Sequence, residues 1–195
     1  MPAGRPREFD VDAGLDAALR VFWRQGYEGA ALTGLTEAVG VNRPSLYAAY
    51  GNKAELFRRA LAHYTEHYAT HMRESLAQPT ARRTAEVFLR GAVRVTTATG
   101  CPRGCLGVQG ALAVGPDHDG IRQELLDWRR DGERALAERF RADGEIASTV
   151  DCADLARYVS AVAFGISVQA AGGAGRAKLN RVVDLTLRAW DGMVA

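Results

Sequence analysis

Two short stretches with helical spacing, Leu32 to Val39 and Arg43 to Tyr50, are separated only by Gly40, Val41 and Asn42. So short a link leaves room for nothing but a tight turn, so the two helices must cross closely and pack on a third element. Gly40-Val41 breaks the first helix, and Asn42 is a good N-cap for the second. Pro44 falls in the first turn, where its missing N–H costs little. Gly51 closes the second helix, and Asn52-Lys53-Ala54-Glu55 is a capping-box pattern that opens another. The arrangement is that of a helix-turn-helix.

Helical periodicity continues along nearly all of the chain, and no window keeps the alternation of a strand. In the first helix Val11, Leu15, Ala18, Leu19 and Phe22 form one apolar face, with Asp10 or Asp12 as cap and Gly26 as stop. A long helix starts at Lys53 and carries Phe57, Leu61, Tyr64, Tyr68 and Met72 as its buried stripe towards Pro79. Further helices are predicted near residues 80–99, 104–114, 120–142, 151–171 and 176–193, punctuated by Gly100, Gly115-Pro116, Gly144 and Gly172 to Gly175. The fold class is therefore all-α, with a soft boundary inside the long helix near residues 60–75.

Charge excludes some function classes and localises another. The formal net charge of +2, from 25 Lys+Arg against 23 Asp+Glu, excludes a histone-like polycation. Its distribution is uneven. Arg5 and Arg7 stand at the start without an acid, and residues 43–59 carry Arg43, Lys53, Arg58 and Arg59 against Glu55, while the acids of the N-terminal part fall between these groups. The odd number of cysteines, 3, argues against a secreted disulfide framework. No apolar run reaches the roughly 18–20 residues of a membrane helix. The expected location is the cytoplasm, with no membrane partner.

The second helix of the pair would present Arg43, Pro44, Ser45 and Tyr47 to base edges. Arg43 can reach guanine O6/N7 bidentately and Ser45 can donate or accept, while Tyr47 and Lys53 suit phosphates. A short helix pair alone more often reflects packing. A longer match adds to it. The run from Leu35 to Leu56, with Ala38-Val39-Gly40-Val41-Asn42, Leu46-Tyr47, Tyr50, Lys53 and Leu56, resembles the TetR-family pattern I-A-x-x-A-G-V-S-x-x-x-L-Y-x-x-F-x-x-K-x-x-L. Val21 to Tyr27 is similar to the family's A-x-x-L-F-x-x-x-G-Y.

The resemblance covers residues 9–60. It implies an N-terminal three-helix, homeodomain-like helix-turn-helix DNA-binding domain over residues 1–52, a C-terminal helical-bundle effector and dimerisation domain over residues 53–195, a homodimer on a palindromic double-stranded operator, and repression relieved by a small-molecule effector. By position it implies DNA contacts from Thr33, Arg43, Pro44, Ser45, Tyr47 and Lys53. Ala31 and Ala49 depart from the pattern where the family often has a hydroxyl or a His/Tyr, and each removes a candidate phosphate contact. Arg5 and Arg7 are a candidate minor-groove arm or a solvated tail.

In the second half, Cys105 is expected to open a small-residue helix with Arg103 nearby, a setting that lowers a thiol pKa. Gly-Cys-Leu there resembles TetR-like regulators responding to electrophiles, oxidants or copper, with Cys101 as a candidate resolving thiol. The plainer alternative is a buried small hydrophobe, as read for Cys152. His63, His67 and His71 share a helix face and read as a polar strip, not as a metal site. Phe88, Trp128 and Phe164, with Trp190, are candidates for an apolar ligand pocket between helices.

Residues 158–171 are rich in small side chains, and Leu179, Val182, Val183, Leu187 and Trp190 make an apolar face. In the family the last two long helices form the dimer interface; both faces could instead complete the intramolecular core. No C-x-x-C, G-x-S-x-G, H-E-x-x-H or phosphate loop is present, so neither a metal nor a cofactor is expected. The rivals to a regulator are a thiol enzyme using Cys105 and an effector-free architectural DNA-binding dimer.

Overall fold

The computed structural model describes residues 10–144 and 146–195; Arg5 and Arg7 lie outside the described residues. Among the described residues the regular elements are all helical. They are α1 (Val11–Gly29), α2 (Leu32–Val39), α3 (Arg43–Tyr50), α4 (Lys53–His67), α5 (His71–Leu76), α6 (Ala81–Thr96) and α7 (Leu106–Gln109), then a 3₁₀ turn (Pro116–His118), and α8 (Asp119–Arg141), α9 (Cys152–Ala171), α10 (Arg176–Arg188) and α11 (Trp190–Val194). None of these helices is long and apolar enough to cross a membrane.

The N-terminal boundaries follow from caps. The Asp10 carboxylate accepts from the N–H groups of Asp12 and Ala13, Asn42 from Ser45, and Asn52 from Glu55. Ala31 offers α2 no side-chain cap. Gly26 interrupts α1 with φ 69°, and one further turn carries the chain to Gly29. Gly40 takes φ 76° at the end of α2, the left-handed residue that turns the chain into α3.

Helices α1 to α4 close around Leu19, Phe22, Trp23, Leu35, Leu46, Tyr50 and Phe57, all essentially without solvent contact. Phe22 meets Phe57 edge-on at 5.1 Å and Trp23 meets Tyr64 edge-on at 4.8 Å. This core does not end with α4. It continues through Cys105, Leu106, Val108, Ile121 and Leu125, so the segment around α7 and the start of α8 packs with the N-terminal helices. A second core joins α6, the end of α8, α9, α10 and α11 around Leu89, Leu136, Phe140, Ile166, Leu179, Val183 and Trp190.

Two predicted helices come out differently. The long helix from Lys53 to Pro79 is broken at Tyr68, where the N–H groups of Tyr68 and Ala69 both reach the Tyr64 carbonyl. The cause lies in two side chains. The Tyr68 hydroxyl is tied to Asp16 and Arg20 on α1, whereas His71 packs into the second half of the molecule against Gly91 and Phe88. Residues three apart on a straight helix share one face, so one helix cannot serve both directions. The predicted helix 104–114 shrinks to Leu106–Gln109. Carbonyls that would continue it are claimed from outside: Gly107 and Val108 by Arg129 Nη1 at 2.8 and 3.4 Å, and Gly110 by the Tyr27 N–H at 2.7 Å.

A third correction concerns α9 and α10. Leu179, Val183, Leu187 and Trp190 are buried inside the second core, so this face is intramolecular. The exposed large apolar side chains on these helices are Tyr158, Val168 and Leu185. Tyr158, Ala161, Gly165 and Val168 follow one another at spacings of 3 and 4 along α9 and form one stripe.

Candidate nucleic-acid interface and effector cavity

The two faces of α3 are divided cleanly. Leu46 and Tyr50, four apart, are buried, and the Tyr50 hydroxyl donates to the Val11 carbonyl at 2.6 Å. Arg43, Pro44, Ser45 and Tyr47 are exposed, and so is Thr33 at the start of α2. Arg43 has no carboxylate partner among the described residues; its nearest polar neighbour is the Tyr47 hydroxyl at 3.5 Å, and its guanidinium lies 5.4 Å from the Tyr47 ring centre. Lys53 stands in the first turn of α4 with Nζ 4.6 Å above the Tyr27 ring. Burial pushes its ammonium below the ordinary lysine range, and Glu28 opposes that shift. Arg58 and Arg59 contribute less to this face than the sequence charge pattern implies. Arg58 is paired with Glu124 on α8 at 2.6 Å and with Glu55, and Arg59 with Glu55 at 3.6 Å and the Ala49 carbonyl.

Behind α4 lies a cavity of about 370 Å³, walled mostly by apolar side chains. Phe88 from α6, Trp128 from α8 and Phe164 from α9 all line it, together with Tyr64, His71 and Cys105. Trp190 does not; it packs edge-on against Phe140 at 5.9 Å in the second core. Neither His71 nor Arg129 stands out in the sequence as a cavity residue, because their placement depends on the helix break at Tyr68 and on the claimed carbonyls of α7.

Cys105 differs from its expected chemistry. It is buried at the start of a single helical turn, and the Tyr64 hydroxyl donates to its sulfur at 3.2 Å. Burial pushes the thiol up, against hydrogen bonds from Tyr64 and the N–H groups of Val108 and Gly107. Arg103 does not assist it. Its guanidinium caps the end of α9, donating to the carbonyls of Ala170 at 2.9 Å and Ala174 at 2.6 Å, and the cation acting on the sulfur is Arg129. Cys101 is half-buried, Cys152 is buried at the start of α9, and all three thiols are free. The three histidines do not form one strip. His63 and His67 stack at 4.2 Å on α4, while His71 is buried on α5. Among the described residues no cluster of His, Cys, Asp and Glu is arranged to hold a metal.

The two regions are strapped together along one face of α1. Arg20 donates to the Gly100 carbonyl at 2.7 Å, Trp23 Nε1 to Gly104 at 3.0 Å, and the Tyr27 N–H to Gly110 at 2.7 Å; Glu28 accepts from the Gly115 N–H at 2.8 Å. The same segment carries Cys105 and Val108 in the cavity wall.

Residues 15–60 match the family described as "Bacterial regulatory proteins, tetR family". Over 98% of its length the chain is 32% identical to the HTH-type transcriptional repressor ComR of Escherichia coli K12, covering 93% of that protein. It resembles a cysteine-substituted form of the TetR family transcriptional regulator CifR, solved in complex with a 26-base-pair double-strand operator DNA, with TM-score 0.90 and 44% identity over 95% of this chain and 100% of that one. A TetR-type regulator from Rhodococcus sp. RHA1 is 41% identical over 90% of this chain and 96% of that one, with TM-score 0.61.

Proposed function

Because the chain belongs to the TetR family of bacterial regulatory proteins, we propose that it is a homodimeric, ligand-responsive repressor that acts in the cytoplasm on a palindromic operator. The observation that carries the reading is the division of α3: Arg43, Pro44, Ser45 and Tyr47 face solvent together, while Leu46 and Tyr50 anchor the helix from behind. In this reading residues 1–52 bind DNA and residues 53–195 bind the effector and the second subunit. Arg43 and Ser45 read bases, Pro44 fits the groove, and Tyr47, Thr33 and Lys53 hold phosphates. Dimerisation uses the exposed stripe of α9 with Leu185 of α10.

The effector occupies the cavity lined by Phe88, Trp128 and Phe164. Its arrival displaces the wall at Cys105 and Val108, and the strap to α1 carries that shift to the DNA-facing helices. Both half-sites then cannot be met at once, and the avidity of the dimer is lost. The test is selection of bound DNA from a random pool. A two-fold symmetric site is the expected product; recovery of unselected sequence removes the assignment.

A second reading is favoured by one observation, the presence of Cys105 in the cavity wall. Here oxidation or modification of that thiol, with Cys101 as its partner thiol, releases DNA. The buried, protonated resting state of Cys105 weighs against a fast reaction. Operator release by hydrogen peroxide that is absent in Cys105→Ser supports the thiol reading. Release by neither protein leaves the ligand reading standing.

A further inference from the structure

His71 stands in the wall of the cavity. Among the described residues, Nδ1 of His71 is the buried side-chain nitrogen left without a hydrogen bond. Such a group is costly to bury unless something pairs with it. The imidazole cannot swing away to find water. It stacks on Phe88 at 5.5 Å, and its Cβ fills the notch at Gly91, where any side chain would collide with it. The ring is neutral, since burial and Arg94 lower its pKa to about 4 while Glu74 only partly opposes them. Arg94 and Glu74 are themselves paired at 2.7 Å, so neither charge is free to serve the ring. Around the imidazole the wall is largely apolar, with the rings of Phe88, Trp128 and Phe164.

We propose that this cavity takes an uncharged aromatic molecule bearing a hydroxyl group, a phenol or aryl alcohol, and that the His71 imidazole is the group that reads the hydroxyl. The inference rests on the cavity being the effector site and adds the chemical class of the ligand. A hydroxyl both donates and accepts, so it pairs with either tautomer of a neutral imidazole. The aromatic body matches the three rings, and the volume falls in the range of small-molecule pockets. A carboxylate suits the site poorly. Asp131 and Glu133 also line the cavity, and the Nη1 of its single guanidinium, Arg129, already donates to the carbonyls of Gly107 and Val108.

The test is calorimetric titration of the full-length protein with 4-ethylphenol, ethylbenzene and 4-ethylbenzoate. The phenol is expected to bind about tenfold more tightly than ethylbenzene, the effect of one hydrogen bond. That preference should fall to near onefold in His71→Leu. It should persist in His71→Asn, whose amide sits where Nδ1 was, and be lost in His71→Gln, whose amide does not. The Asn/Gln pair decides the matter if the leucine variant fails to fold. Equal preference in both, an unchanged preference in His71→Leu, tighter binding of the benzoate, or no binding of any probe overturns the proposal. Operator affinity is measured separately, without and with 4-ethylphenol. A protein that shows the phenol pattern but never releases DNA keeps the site and loses only its effector role.

Discussion

Arg43 and Lys53 are both proposed DNA contacts but have different surroundings, and so different expected roles. Arg43 is exposed, has no carboxylate partner among the described residues and can turn its fork to a guanine edge. Lys53 is half-buried and steadied over the Tyr27 ring, the setting of a point charge aimed at the backbone. Arg43→Ala is therefore expected to cost about 1–3 kcal/mol on the selected site and to relax base preference at one position. Lys53→Ala should weaken all sequences about equally and make the salt dependence shallower by roughly one unit of slope. Fluorescence anisotropy at several salt concentrations separates the two. His71 carries a prediction of its own. Its folded pKa of about 4 lies below the ordinary 6.5, so as pH falls between those values the unfolded chain takes up a proton that the folded one refuses. Its contribution to stability is whole above about pH 6.5 and is lost towards pH 4, with a slope of up to about 1.4 kcal/mol per pH unit. Carboxylates such as Glu74 and Glu86, held below their usual range by hydrogen bonds, titrate nearby. The measurement is thus the difference between wild type and His71→Asn in urea melts; parallel pH profiles would contradict the assignment.

At the level of elements, the local signals were legible and the shared ones were not. Asn42, Asn52, Gly40 and Gly51 mark the ends of α2, α3 and α4 because capping and left-handed turns depend on a few adjacent residues. A side chain at Gly40 would point into open space, so Gly40→Ala meets only the left-handed backbone penalty, about 1 kcal/mol in a denaturant melt. The break at Tyr68 and the single turn of α7 depend on distant groups. Tyr68 answers to Asp16 and Arg20, and α7 to Arg129 and Tyr27. The strap on α1 gives a further expectation. Trp23→Phe keeps a buried ring but leaves the Gly104 carbonyl unpaired, which should cost about 1–3 kcal/mol. It should also blunt the effect of a bound ligand on operator affinity; full ligand response in this variant would mean that the coupling runs elsewhere.

For the whole molecule the deciding feature is which apolar faces remain uncovered. The stripe on α10 that reads most strongly in the sequence, Leu179, Val183 and Leu187, is spent on the intramolecular core. Tyr158 and Val168 on α9 and Leu185 on α10 remain exposed. Single exposed apolar residues are ordinary, so the proposed dimer interface is tested on the residues of these two helices that the core leaves uncovered. Val168→Glu is expected to convert the protein to monomers in sedimentation velocity without lowering its thermal stability as a monomer, and to abolish tight operator binding. A variant that stays dimeric would move the interface to another face.

Helical class, the short helix pair, its caps and the exposed quartet Arg43, Pro44, Ser45 and Tyr47 were all decided by the residues themselves, since each rests on periodicity or on neighbours within one turn. Phe88, Trp128 and Phe164 were nameable as pocket candidates for a similar reason: large rings on separate helices must meet core or cavity. Tertiary structure alone decided the rest. It turned Arg103 away from Cys105, buried that thiol, separated His71 from His63 and His67, and left the buried Nδ1 of His71 without a hydrogen bond. Burial, charge pairing and the ownership of a carbonyl are properties of groups far apart in the chain, and no local pattern carries them.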